Sequence, residues 1–177
     1  MPTYIAFLRA INLGANRKFP KDAIKAAAEG AGFKDVETYI NTGNVRVTTG
    51  MRSRVKVEAA LEKAFLADRG FEVPTIVFTP TELTAIADEA TEFAKDLDGM
   101  HYVSLLKDDP SDELIEKIEA TARGAESARV GGRAVHLLLG ENYHEAKLSN
   151  STVEKLMGVA TNRNLKVIRT LAEKWGG

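Results

Sequence analysis

Five hydrogen-bond donors, Arg9, Asn12, Asn16, Arg17 and Lys18, crowd into the stretch FLRAINLGANRKFP. Guanidinium and ammonium groups pair with carboxylates or phosphates, and asparagine amides orient a polar ligand. A plain turn needs only two or three special residues, so the excess points to a working surface. A second concentration, INTGN, holds Asn41, Gly43 and Asn44; by itself it reads as a hairpin turn, with Gly43 free to take positive φ. A third is ATNRNLKVIRTL. There Thr161 or Asn162 is expected to cap a helix, with Arg163 and Asn164 in its first turn. Free backbone N–H groups and the helix dipole favour an anion at such a place. A cation in a first turn opposes the dipole by roughly 0.3–1 kcal/mol, which a bound anion relieves.

Other chemistry is sparse. The chain has no GxSxG, Walker, HExxH or GxGxxG pattern and no cysteine, so thiolate metal sites and cysteine nucleophiles are excluded. Of three histidines, His101 and His136 lie in strand patterns and are expected to be structural, with no metal bound. His144 lies in the polar run ENYHEAKLSN with Glu141, Glu145 and Lys147, where an acid–base pair is conceivable but no spacing enforces it.

The elements that must position these groups follow from periodicity. TYIAFLRA alternates as a strand, with Ile5 and Phe7 on one face and Tyr4, Ala6 and Leu8 on the other. KFPKDAIKAAAEGAGF reads as a helix, DVETYI and NVRVTT as a hairpin, SRVKVEAALEKAFLADRG as a helix with Val55, Ala59, Leu61 and Leu66 inward, and VPTIVFT as a strand. That β-α-β-β-α-β order is the ferredoxin-like pattern. The second half nearly repeats it: a helix capped by Thr79 or Thr81, the strand HYVSLL, a helix after Pro110 and Ser111, a hairpin of ESARVG and RAVHLLL, then two closing helices. The expectation is an α+β fold of two interlocked ferredoxin-like (βαββαβ-type) subdomains, residues 1–80 and 81–177. No flexible linker separates them, so they are expected to pack tightly, with VPTIVFT bridging. In this pattern the end of the first strand and the start of the third are expected at opposite ends of an antiparallel pair. The loop after strand one is nonetheless expected to meet the turn between strands two and three, bringing residues 12–18 near 41–44.

The net charge of −1 conceals two acid-free segments. Residues 1–21 hold Arg9, Arg17, Lys18 and Lys21; residues 155–172 hold Lys155, Arg163, Lys166 and Arg169. No apolar run is long enough to span a bilayer and no basic leader precedes the first strand, so a cytoplasmic protein without membrane partners is expected.

The segments LRAINLGANRKFPK, AGF, TYINTGNVRV and TNRNLKVIRTL together resemble a bacterial family, domain of unknown function 1697, in order along essentially the whole chain. The resemblance implies two interlocked ferredoxin-like subdomains and no established activity. It marks Arg9, Asn12, Asn16, Lys18, Gly43, Asn44, Thr161, Arg163 and Asn164 as motif positions. Ala10 and Ala15 stand where the family has glycine, and Leu165, Lys166 and Val167 replace an aromatic and two polar residues.

The favoured reading is a protein that binds a small anionic ligand, a phosphate-bearing metabolite, nucleotide or nucleic acid. Arg9, Asn12, Asn16, Lys18, Asn41, Gly43, Asn44, Thr161, Arg163 and Asn164 would line one cleft. The nucleic-acid version has little behind it, because aromatics are only 7% of residues and no RNA-binding aromatic motif occurs. An enzyme using the same cleft and a structural or interaction protein are the alternatives. No cofactor or oligomeric state is identified.

Overall fold

The computed structural model describes residues 1–95, 100–122, 126–140 and 148–177. Its elements are β1 (Thr3–Leu8), α1 (Lys21–Gly30), β2 (Lys34–Tyr39), β3 (Asn44–Thr48), α2 (Arg54–Arg69), β4 (Thr75–Phe78), α3 (Pro80–Ala94), β5 (Met100–Leu106), α4 (Asp112–Thr121), β6 (Ser127–Gly131), β7 (Ala134–Gly140), α5 (Asn150–Met157), β8 (Ala160–Asn164) and α6 (Leu165–Trp175). Two compact units result, Met1–Glu82 with Gly177, and Leu83–Gly176.

Each unit is a four-stranded antiparallel sheet with helices. The strand orders are β2-β3-β1-β4 and β6-β7-β5-β8, the same ferredoxin-like winding twice. VPTIVFT supplies β4, which among the described residues pairs with β1 in the first sheet. The second sheet contains a strand, β8, that periodicity read as the start of the last helix.

In the first unit Tyr4, Ala6, Leu8, Val45, Val47 and Val77 meet Ile24, Ala28, Val57, Leu61 and Phe65 from α1 and α2. Alternation turns Ile5 and Phe7 to the other face, where they are also buried, and Phe7 meets Phe78 edge to face at 5.9 Å. The phase of α2 differs from expectation. Val55, Ala59 and Leu66 are exposed, and the inward stripe is Val57, Glu58, Leu61 and Phe65. A glutamate in that stripe has a use on β4, an edge strand: Glu58 accepts from Val77 N at 3.0 Å and Glu62, one turn on, from Thr75 N at 3.2 Å. Two carboxylates thus satisfy donors of a strand with a neighbour on one side only.

In the second unit Leu106, Val135, Leu137, Leu139 and Ala160 pack with Ile118, Val153 and Met157 of α4 and α5. The opposite sheet face carries His101, Val103, His136 and Arg163, by register. Helix α3 starts with a capping box: Thr79 Oγ1 accepts from Glu82 N, and Glu82 Oε1 from Thr79 N. Among the described residues no helix is long and apolar enough to cross a membrane.

Candidate functional site

The first-unit loop and the INTGN turn do converge. Phe7 pairs with Asn44, and Leu8 N donates to Gly43 O at 2.9 Å. The end of β1 and the start of β3 therefore lie at the same end of the pair, not opposite ends, as antiparallel direction requires. Asn12 Nδ2 reaches Asn41 O at 2.7 Å across the two segments.

The convergence also accounts for two of the donors crowded there, Asn12 and Arg17. Ala10, Asn12 and Arg17 hold left-handed backbone at φ 59°, 54° and 56°, and Gly14 at 67°. Such a loop turns carbonyls away from any regular partner, and side chains must satisfy them. The Asn12 amide donates to Phe19 O and Asn41 O and accepts from Phe19 N, using both hydrogens. Arg17 donates to Ala10 O and Glu72 O and stacks on Phe71, 4.6 Å from the ring centroid. Asn44 is buried and donates to Tyr39 O and Thr42 Oγ1. Gly43 is needed for a φ of 89° and for space. Arg9 N donates to Pro74 O. Lys18 lends its carbonyl to Arg69, and its side chain, like those of Asn16 and Asn41, is exposed.

The terminal motif lies in the second unit, and its local structure differs from expectation. Residues Ala160–Asn164 are strand β8, paired with β5 from Leu106↔Ala160 to Tyr102↔Asn164. Pairing takes up the backbone of Thr161 and Asn162, so neither caps the helix. Asn164 is the cap, its Oδ1 accepting from Val167 N at 2.9 Å. Arg163 is in the strand, not in a first turn. It is buried, and its Nη1 donates to Thr161 Oγ1 at 3.0 Å and Asn162 O at 2.8 Å. Burial lowers its pKa to about 10, which leaves it charged at neutral pH.

Beside the Asn164 cap a cleft of about 610 Å³ opens. Lys166 and Arg169, three residues apart and so on one face of α6, line it with Asn164 and Thr170. Met100 and Leu165 give it apolar wall, and Glu173 brings one acid. Arg169 Nε is held by Thr91 Oγ1 at 3.2 Å. Lys166 is exposed. The volume lies within the range of small-molecule sites.

His101 also lines this cleft while being only 7% exposed, and neither ring nitrogen has a hydrogen-bond partner among the described residues. The same holds for His136, fully buried, whose ring lies 5.8 Å from that of His101 and edge-on to Phe93. Glu89 Oε2 is 3.4 Å from His136 Nε2, but the approach is not aligned as a hydrogen bond and the carboxylate is 44% exposed, hence screened. Burial therefore dominates. It pulls both histidines down to about 4 from 6.5, the neighbouring ring adding to the effect at His136. Both are neutral at pH 7. Among the described residues no cluster of three ligating groups could hold a metal. His144, Glu141, Glu145 and Lys147 lie outside the described residues.

A pH dependence follows. Above pH 6.5 folded and unfolded chains both keep these rings neutral. Between 6.5 and about 4 the unfolded chain takes up protons that the folded chain does not, so stability falls as pH drops through that window. One pKa unit corresponds to about 1.4 kcal/mol, so the loss reaches several kcal/mol by pH 4. Urea denaturation at pH 7, 6 and 5 should show the decline, and His136→Gln should flatten it.

Residues 1–136 match the family model described as protein of unknown function (DUF1697). The chain belongs to the DUF1697 family. No curated protein matches it. Among solved structures, a conserved bacterial protein, SP0830 from Streptococcus pneumoniae, is similar at 18% identity and a TM-score of 0.70, over 97% of each chain. At that identity the likeness speaks for the fold alone. The family match stops short of Thr161, Arg163 and Asn164.

In this DUF1697 chain Ala10 occupies left-handed backbone, where an L side chain is strained and glycine is not. Ala10→Gly should therefore raise stability by about 0.5–1 kcal/mol, after allowing for the greater unfolded-state entropy of glycine. Chemical denaturation measures it. His101 and Glu58 escaped the site reading of this DUF1697 sequence. Lys166 and Arg169 were visible as cations of an acid-free segment, and Lys166 also as a departure from the family motif; their i,i+3 spacing after Asn164 was the available signal.

Proposed function

We propose that this DUF1697 protein binds a small anionic ligand in the cleft beside the start of α6. The supporting observation is that Lys166 and Arg169 line one cleft with the capped helix start at Asn164. Lys166 lies in the first turn of α6, where a cation opposes the dipole, a cost an anion at the same spot relieves. Of the residues singled out by sequence, Asn164 lines this cleft. Asn12, Arg17 and Asn44 fasten the first-unit loop instead. The cleft's size favours a small molecule over a nucleic-acid strand, which needs a longer cationic groove.

Charge-assisted hydrogen bonds contribute roughly 1.5–3 kcal/mol each. Lys166→Ala and Arg169→Ala should each weaken sulfate binding about tenfold or more, by calorimetry, with the melting temperature nearly unchanged because both side chains are exposed. Unaltered binding in both variants would remove the proposal.

A further inference from the structure

Resting on that reading, we propose that the cleft takes a doubly charged tetrahedral oxyanion, the phosphate of a phosphomonoester, and that its binding draws a proton from solvent onto the buried His101–His136 pair. The first ground is charge balance. Lys166 and Arg169 bring two positive charges to the cleft and Glu173 one negative. A singly charged anion leaves that set neutral. A dianion matches the two cations and, with Glu173, leaves the set one negative charge in excess. His101 is the group lining the cleft that can gain a proton near neutrality.

The second ground is the state of that histidine. Buried polar groups are hydrogen-bonded with few exceptions, and each exception requires an explanation. Here two adjacent imidazoles leave four ring nitrogens without partners among the described residues. At His101 both nitrogens are also shielded from solvent, so a ligand in the cleft acts on the ring through its charge and not by touching it. Its low pKa in the empty cleft has burial as its cause, and a nearby dianion is what would reverse it.

The other charges around the pair are as follows. Glu89 of α3 lies against His136. Arg129 of β6 is opposite His136, and Arg163 of β8 is opposite Val103 on the same sheet face. The two arginines disfavour a proton on the pair and Glu89 favours one. Burial keeps both rings neutral in the empty protein, and the ligand's charge is what shifts the balance.

The third ground is size. A cleft of about 610 Å³ with Met100 and Leu165 in its wall has room for more than an inorganic ion, which points to an organic remainder on the phosphate.

Calorimetry on the unmodified protein tests this without any variant. Sulfate is the proton-linkage probe because it stays doubly charged from pH 6 to 8, whereas phosphate monoesters titrate near 6. Titrations in two buffers of different ionisation heat should give uptake of about half a proton or more per sulfate at pH 6, and close to none at pH 8. Affinity should rise about twofold or more from pH 8 to pH 6. Chloride should show no proton uptake, and glycerol phosphate should bind more tightly than inorganic phosphate at pH 8. His101→Asn should abolish the uptake while sulfate still binds at pH 8. Sulfate binding without proton uptake, or chloride behaving like sulfate, overturns the inference but leaves anion binding standing. Glycerol phosphate binding no better than inorganic phosphate overturns the ester assignment. Binding of none of these anions overturns both this inference and the reading beneath it.

Discussion

Gly43→Ala should destabilise the first unit by about 3 kcal/mol, lowering the melting temperature by roughly 10 °C. Gly43 has φ 89°, and a Cβ built there would lie 2.7 Å from Leu8 Cβ and 3.0 Å from Ile11 Cδ1. Left-handed backbone costs an L residue roughly 1–2 kcal/mol. Forcing a methyl group into a filled site adds about 1–3 kcal/mol. Relief by backbone movement is closed off, because Gly43 O accepts the Leu8 N bond that joins the turn to the end of β1. Gly32→Ala is the control: its φ is also positive, but nothing lies within 4 Å of the added atom. The difference between the two variants in thermal denaturation isolates the packing contribution.

Glu58→Ala should cost about 2–3 kcal/mol, and Glu58→Gln clearly less. The carboxylate is 2% exposed, accepts from Val77 N and lies 3.4 Å from Arg54 Nη1. Alanine leaves a buried edge-strand donor without its acceptor, and its desolvation cost appears in full. Glutamine keeps an oxygen in place. Arg54 is 28% exposed, so water compensates that side of the pair and the loss stays below that of a fully buried ion pair. Urea midpoints for the two variants give the ranking; equal losses would show that charge, not the hydrogen bond to Val77, is what matters.

Glu58 also shows why the sequence left part of the fold unread. Hydrophobic spacing placed Val55 and Leu66 on the inner face of α2, yet the helix turns Val57, Leu61 and Phe65 inward and admits a glutamate between them. An acid satisfying a neighbouring strand edge is invisible to a rule that counts apolar residues. The two-sheet plan was legible because seven of its strands carry apolar alternation or continuous apolar runs. The eighth does not: ATNRN has threonine and two asparagines, and it is a strand through pairing with β5 and the 3.0 Å contact of Ser104 Oγ with Asn162 Oδ1. Tertiary pairing overrode local preference there. That one difference moved Arg163 from an open helix turn into a buried strand. In the first loop the residue types were read as donors with too much capacity for a turn. For Asn12 and Arg17 the acceptors were carbonyls of the loop, Ala10 and Phe19, and of its neighbours Asn41 and Glu72, brought within reach by left-handed backbone that composition does not reveal.

The measurement that tests the central claim most directly is a backbone amide NMR titration of the intact protein with sulfate. An anion in the α6 cleft should move the signals of Leu165, Lys166, Val167 and Arg169 in a saturable, concerted way, and those of Lys18, Lys21 and Asn41 little. Saturable shifts confined to Lys18, Lys21 and Asn41, with residues 164–170 unmoved, would contradict the account.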